Sequence, residues 1–187
     1  MSINEQAVST LYSVSSLTLD IPALGLHLPV MDVLFTILVH YSYRSALGES
    51  HAYIGWGQGL VATLFMASGG GCTVSLIRGE TFGLLQSNLT WAIHCFIYWA
   101  MFSNSFIYRC TQSLFEMPLG EHLFTLSDAV LRTSAMVQYG IEGVTANPGL
   151  GAGKSVAKII CGTLAGCGGG LWIGKITDIQ MKRRIKY

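Results

Sequence analysis

The strongest constraint on this chain is a run of three consecutive glycines that occurs twice, each time inside an apolar segment. Glycines 69–71 lie in the segment 60–77, and glycines 168–170 lie in the segment 159–176. In water, each glycine weakens a helix by about 1 kcal/mol relative to alanine. In a bilayer, no water competes for backbone hydrogen bonds, and small residues let helix backbones approach closely. The two runs therefore predict a helical membrane protein that contains a duplicated unit.

The composition agrees with a membrane location. The 187 residues are 51% hydrophobic and 11% charged, whereas ordinary soluble domains are about 25% charged. The mean hydropathy is +0.48, which favours an integral membrane protein over a soluble domain rich in core residues. The formal net charge of +1 gives no reason to expect nucleic-acid binding.

Five apolar segments predict an all-α fold, a polytopic membrane helix bundle of about five transmembrane helices. The last four segments each reach the roughly 20 residues needed to cross the hydrocarbon region. We expect an interfacial or extended segment over 1–27, a transmembrane domain over 28–176 and a basic tail over 177–187. The five predicted spans cover 28–43, 54–77, 89–108, 119–144 and 156–176.

The spacing of the glycine runs indicates how the unit is duplicated. Gly70 and Gly169 are the central residues of the two runs and lie 99 residues apart, in the second and fifth predicted spans. The fifth span comes three crossings after the second, an odd number, so the two copies would run in opposite directions across the membrane. This arrangement predicts an inverted three-helix repeat whose second copy is incomplete.

The basic residues predict an orientation. With five spans, one side of the membrane carries three Lys and Arg residues and the other side, which holds the C-terminus, carries seven. The positive-inside rule therefore places the C-terminus in the cytosol or the matrix of an organelle. The basic tail either contacts anionic lipid head groups or acts as a stop-transfer anchor. Its basic residues are Lys182, Arg183, Arg184 and Lys186.

Several short motifs occur in the same order as in a known family. Residues 28–32 are Leu-Pro-Val-Met-Asp, glycines 69–71 are followed by Arg-Gly-Glu at 78–80, aromatic residues fill 99–108, and glycines recur over 166–170. This layout resembles the trimeric intracellular cation channel family, whose members have two inverted three-helix repeats, a seventh helix, and second and fifth helices kinked at glycines. The resemblance implies a potassium channel, a homotrimer, a location in the endoplasmic reticulum, and a helix five that breaks at 166–170.

This chain departs from the family pattern in two ways. Helices six and seven are absent, and the lipid-binding Lys-Glu-Val motif of helix four corresponds here to Ser-Asp-Ala-Val-Leu-Arg at 127–132. The departures argue against lipid gating of the family type and against an intact pore.

Two charged residues lie inside the fourth predicted span. Asp128 and Arg132 are four residues apart and so share a helix face. Charges inside a membrane are costly unless they are paired, which makes these residues candidates for an ion path or a lipid clamp. The alternative is a self-neutralising pair that faces another helix, and we favour this alternative. No arrangement of nucleophile, base or metal ligands indicates an enzyme, so we expect no catalytic residues and no metal site.

We therefore predict a non-catalytic accessory subunit of a large organellar membrane complex, with a mitochondrial respiratory complex in the inner membrane as the first host. The alternative is a monovalent-cation channel of the trimeric family. The expected partners are other membrane subunits, above all at the glycine face of helix five, and structural phospholipids, with no other cofactor. The glycines expected to pack or kink helices are Gly69, Gly70, Gly71, Gly166, Gly168, Gly169 and Gly170.

Overall fold

The computed structural model describes residues 3–22 and 25–184, and within them it leaves out the side chains of residues 3, 4, 26, 168, 171 and 173–184. The chain is mostly helical, as the sequence predicts, with one two-stranded sheet. The strands are β1 (Thr18–Ile21) and β2 (Leu26–Pro29). The helices are α1 (Ile3–Ser15), α2 (Val30–Leu47), α3 (Trp56–Arg78), α4 (Gly83–Gln86), α5 (Asn88–Ser103), α6 (Ser105–Glu116), α7 (Pro118–Ala135), α8 (Gly143–Ala146) and α9 (Ser155–Arg184), with a 3-10 helix at Gly48–Tyr53 and a π-helix at Met136–Glu142.

The chain divides into two compact units. Unit 1 comprises Met1–Ala46 and Phe96–Ser134, and unit 2 comprises Leu47–Cys95 and Ala135–Tyr187. Both glycine-rich helices, α3 and α9, belong to unit 2. The geometry of the glycine runs can therefore be described within one unit.

The N-terminal segment forms a helix and a strand. Helix α1 covers Ile3–Ser15, and β1 pairs antiparallel with β2. Asp20 lies directly opposite His27 in this pairing, and their Oδ1 and Nδ1 atoms are 2.5 Å apart. Gly25 has a φ of +58°, a left-handed conformation that suits glycine in the turn between the strands.

Stacked aromatic rings join three helices of unit 1. Tyr41 of α2 lies between Tyr108 and Phe115 of α6, with ring centroids 5.6 Å and 4.3 Å apart. Phe115 in turn stacks on Phe124 of α7 at 4.1 Å. The guanidinium of Arg44 lies 4.1 Å from the ring centroid of Tyr108, within the range of a cation–π contact. This column links α2, α6 and α7 within unit 1.

The third predicted span, 89–108, is two helices. Helix α5 ends at Ser103 after 16 residues, and the side chain of Asn104 accepts hydrogen bonds from the backbone N–H groups of Phe106 and Ile107. This is an N-cap, and it starts α6 with an extended residue between the two helices. The prediction of a single span of about 20 residues is wrong here. The hydropathy of the segment does not show that Asn104 caps a second helix.

The fourth predicted span, 119–144, consists of α7, the π-helix and α8 in succession. Within it, the N–H of Gly143 bonds to the carbonyl of Gln138, five residues earlier. A π-helical segment of this kind alters which side chains face a neighbouring helix. It lies in the part of unit 2 that packs on α9.

Helices α3 and α9 run without interruption through their glycine runs. The expected break of helix five at 166–170 is therefore wrong, since α9 continues as a helix from Ser155 to Arg184. Among the described residues, one helix, α3, is long and apolar enough to cross a membrane, and residues Ser155–Cys167 of α9 form a shorter apolar stretch.

Candidate functional site

The first glycine run of unit 2 meets the backbone of α9. A Cβ atom on Gly70 would lie 2.5 Å from the carbonyl oxygen of Leu164 and 2.6 Å from that of Ala165. No real Cβ tolerates such distances, and the atoms in the way are backbone atoms that cannot rotate aside. Gly70 is therefore required for the close approach of the two helices.

The second run makes the same kind of contact in return. A Cβ on Gly169 would collide with the carbonyl oxygen of Met66 on α3. One turn beyond Gly70, Val74 shares a buried cluster with Cys161 and Val144. As the contact positions on α3 advance from 66 to 70 to 74, those on α9 retreat from 169 to 165 to 161. The two helices are therefore antiparallel.

The 99-residue offset between the two glycine runs also relates the contacts that α3 and α9 make with each other. The offset converts Gly70 into Gly169 and Met66 into Ala165. When each residue is replaced by its counterpart in the other copy, the contact of Gly169 with Met66 becomes the contact of Gly70 with Ala165. Both contacts are present. A pair of contacts exchanged in this way is the hallmark of an isologous, two-fold interface. Here it lies inside one chain, between α3 and α9.

Trp172 and Thr73, which lie beside the crossing, are also counterparts in the two copies. The indole Nε1 of Trp172 donates a hydrogen bond to Thr73 Oγ1 at 3.1 Å, and these residues are also 99 positions apart. The Trp172 ring covers Gly69, since a Cβ on that glycine would lie 2.6 Å from the ring atom Cδ1. Thr73 Oγ1 itself donates to the carbonyl of Gly69 at 2.7 Å.

Some of the α9 glycines are covered from within the chain. Gly169 is covered by α3 and Gly166 by Met136 of the π-helix, whose Cγ would be 2.8 Å from an added Cβ. Gly170 has open space beside it, and Gly71 has ordinary contact with the Tyr139 ring. The surroundings of Gly168 lie outside the described residues. The same chain thus covers Gly166 and Gly169 and leaves Gly170 open.

The π-helix adds a further backbone contact to this site. A Cβ on Gly140 would collide with the Cα atom of Gly162 on α9. Glycine therefore faces glycine at this point as well. The two elements approach closely because neither has a side chain there.

A polar cluster at the end of α3 was not singled out by the sequence as a site. The Arg78 side chain is 7% exposed and donates from Nε to Glu80 Oε1 at 2.9 Å and from Nη2 to Glu80 Oε2. Its Nη1 donates to the carbonyl of Tyr139 in the π-helix at 2.9 Å. Asn147 donates to the Arg78 carbonyl at 3.0 Å. We call these four residues the Arg78 cluster.

Glycines permit the Arg78 cluster to form. Gly79 ends α3 with a φ of +69° and turns the chain so that Glu80 lies beside Arg78. A Cβ on Gly143 would collide with the guanidinium. The hydrogen bonds from Arg78 lower the pKa of Glu80 below its ordinary value, with a further contribution from Asn147. The signal available in the sequence was the Arg-Gly-Glu triplet directly after an apolar helix.

The predicted pair Asp128 and Arg132 is formed on α7. Arg132 Nε lies 2.7 Å from Asp128 Oδ1 and 2.8 Å from Oδ2, and the two side chains are 47% and 26% exposed, with arginine the more exposed. The two charges thus neutralise each other on one helix. The pair belongs to unit 1, whereas the glycine crossing belongs to unit 2.

The remaining predictions concern the tail and the absence of chemistry. The side chains of Lys182, Arg183 and Arg184, and all of Lys186, lie outside the described residues. Among the described residues, no group of three or more His, Cys, Asp or Glu side chains could hold a metal ion.

Comparison of the chain with protein-family models, curated proteins and solved structures gave no match.

Proposed function

We propose that this chain is a non-catalytic structural subunit of a larger membrane complex, with α3 as a membrane-spanning helix. The observation that carries the proposal is the glycine crossing of unit 2. The carbonyl oxygens of Leu164 and Ala165 lie against Gly70, and that of Met66 against Gly169. This spacing leaves no room for water or an ion between the backbones of α3 and α9, so the crossing acts as a rigid joint.

The charges of the described residues favour the same proposal. A conducting path needs polar or charged groups that can interact with a passing ion. Arg78 is engaged by Glu80 and by the Tyr139 carbonyl, and Arg132 by Asp128. In these clusters, the charges form internal pairs that fix the fold locally. As first host we keep a mitochondrial respiratory complex in the inner membrane, with the C-terminus on the matrix side.

The alternative remains a monovalent-cation channel that resembles the trimeric intracellular cation channel family and assembles as a homotrimer. One observation favours it. The antiparallel, two-fold contact of α3 and α9 is the relationship expected between copies of an inverted repeat, and such repeats are common in transport proteins. This alternative also includes location in the endoplasmic reticulum.

Two measurements on the full chain separate the proposals. Affinity purification from membranes in a mild detergent should recover the chain in a complex of several different subunits, and the chain reconstituted alone in a planar bilayer should carry no K⁺ current. Recovery as a homotrimer that conducts K⁺ would establish the channel and exclude the structural subunit. A charge-neutral variant, Asp128→Asn with Arg132→Gln, serves as the control, since its charge loss should leave both results unchanged for a structural subunit.

A further inference from the structure

A cavity of about 450 Å³ opens beside α3 in unit 2. Its volume falls within the range of small-molecule sites in proteins. The walls come from one face of α3, from α4 and the residue before it, and from two tryptophans. The lining residues are Val61, Leu64, Phe65, Cys72, Thr73, Leu76, Phe82, Leu84, Leu85, Trp91 and Trp172.

The polar groups of this lining are already hydrogen-bonded within the chain. Trp172 Nε1 donates to Thr73 Oγ1 at 3.1 Å, and Trp91 Nε1 donates to the carbonyl of Leu84 at 2.8 Å. Thr73 Oγ1 donates its own proton to Gly69. A polar ligand would lose its hydrogen bonds with water and gain few in return. The cavity therefore suits an apolar occupant.

The rim of the cavity is unusually apolar for an exposed surface. Leu76 is 71% exposed and Leu85 is 65% exposed, and Val61, Phe65 and Trp172 are also exposed. A contiguous apolar surface of this kind marks a contact with a membrane or another apolar partner. Three of these rim residues, Val61, Phe65 and Leu76, lie on α3, the described helix that is long and apolar enough to cross a membrane.

We infer that this cavity holds one acyl chain of a membrane phospholipid. The inference rests on the membrane location proposed above. The nearest cation on α3, Arg78, donates to Glu80 and to the Tyr139 carbonyl, so its guanidinium is already engaged. Recognition therefore resides in the acyl chain, and the head group contributes little selectivity.

The test uses the full chain in detergent and a phosphatidylcholine with brominated acyl chains, since bromine quenches tryptophan fluorescence at contact. One variant keeps Trp172 alone, and its matched control keeps Trp99 alone. Trp99 is 51% exposed but does not line the cavity. We expect saturable quenching of Trp172 at low brominated-lipid content, several-fold stronger than the quenching of Trp99. Equal quenching of the two tryptophans would overturn the inference.

Substitutions in the single-Trp172 background test the cavity itself. Cys72→Phe fills it and should abolish the saturable quenching, whereas Ile77→Phe, on the same helix but outside the lining, should not. If Cys72→Phe fails to fold, Leu85→Phe at the exposed rim takes its place. Retained quenching in a folded cavity variant would refute the site. Brominated phosphatidylglycerol should quench as strongly as brominated phosphatidylcholine, and a requirement for one head group would also refute the site.

Failure of this inference can be told apart from failure of the proposed function. Alkaline carbonate extraction of membranes reports whether the chain is embedded at all. Release of the chain into the soluble fraction would refute the membrane location and the lipid site with it. Retention in the membrane without saturable quenching of Trp172 would refute the lipid site alone.

Discussion

Trp172 donates a hydrogen bond to Thr73 across 3.1 Å, and the two residues occupy equivalent positions of the two glycine repeats, 99 residues apart. Equivalent positions of two copies approach each other only near a local two-fold axis. The contacts of Gly70 with Ala165 and of Gly169 with Met66 are exchanged by the same offset. The duplicated segments thus form a self-complementary interface within one chain.

The first prediction concerns the glycine at this interface. Gly70→Ala places a methyl group against the carbonyl oxygens of Leu164 and Ala165. Because backbone must move to admit it, we expect the free energy of unfolding to fall by about 1–3 kcal/mol. Thermal or denaturant unfolding in detergent measures the change.

The neighbouring glycine is the control for this substitution. A Cβ on Gly71 would lie 3.4 Å from the Tyr139 ring, which is an ordinary contact. Gly71→Ala should therefore change the free energy of unfolding by less than about 0.5 kcal/mol. On α9, Gly169→Ala and Gly170→Ala should differ in the same way. Equal losses in the free energy of unfolding within either pair would show that the close approach of the two helices does not depend on Gly70 or Gly169.

The second prediction compares the two ion pairs. Glu80→Gln removes the carboxylate beside the buried Arg78, and we expect a loss of about 1–2 kcal/mol, moderated by the partial exposure of Glu80. Asp128→Asn removes one partner of the exposed pair on α7, and its cost should be about 0.3–0.5 kcal/mol. Unfolding measurements at neutral pH and low salt check both values. A larger cost at Asp128 would contradict the ranking.

The third prediction concerns pH. The hydrogen bonds from Arg78 lower the pKa of Glu80 in the folded chain below its ordinary value of 4.5. A group whose folded pKa is depressed contributes stability that is present above the unfolded pKa and is lost as the pH falls through the folded pKa. The difference in stability between the wild type and Glu80→Gln should therefore shrink as the pH falls from about 6 to about 3. Unfolding midpoints of both chains over this range test it, and a constant difference would argue against the linkage.

The fourth prediction addresses the aromatic column of unit 1. Phe115 stacks on both Tyr41 and Phe124, so Phe115→Leu removes two ring contacts. We expect a loss of about 1–3 kcal/mol in the free energy of unfolding. Phe106→Leu on the same helix is the control, because Phe106 is 73% exposed. Similar losses in the free energy of unfolding for the two substitutions would contradict a stabilising role for the stacked rings.

The sequence predicted the helical character of the chain, because composition and hydrophobic runs carry that information. It could not predict that Gly70 and Gly169 pack on each other's helices, since a repeat spacing does not say which copies meet. The cap at Asn104 and the π-helix at Met136–Glu142 were missed because both are local hydrogen-bond choices inside continuous apolar or helical segments.

The candidate polar site shows the same limit. The pair Asp128 and Arg132 was visible because its residues are four apart on one helix. The Arg78 cluster was not, because Tyr139 and Asn147 lie 61 and 69 residues from Arg78 in the chain. Only the fold of unit 2 brings a distant carbonyl and amide to that guanidinium.

The most direct test of the central claim, an antiparallel glycine crossing within one chain, is a pair of spin-label distances. Labels on Ile77 and Ile160 are compared with labels on Val61 and Ile160, in a chain whose native cysteines are replaced; all three sites are about half exposed or more. The antiparallel register places Ile160 level with about position 75 of α3, so that Ile77 lies roughly 3 Å and Val61 roughly 21 Å from that level along the helix axis. Because the two helices are also separated sideways, we expect the Ile77–Ile160 distance to be the shorter by roughly 10 Å. A shorter Val61–Ile160 distance, or equal distances, would contradict the account.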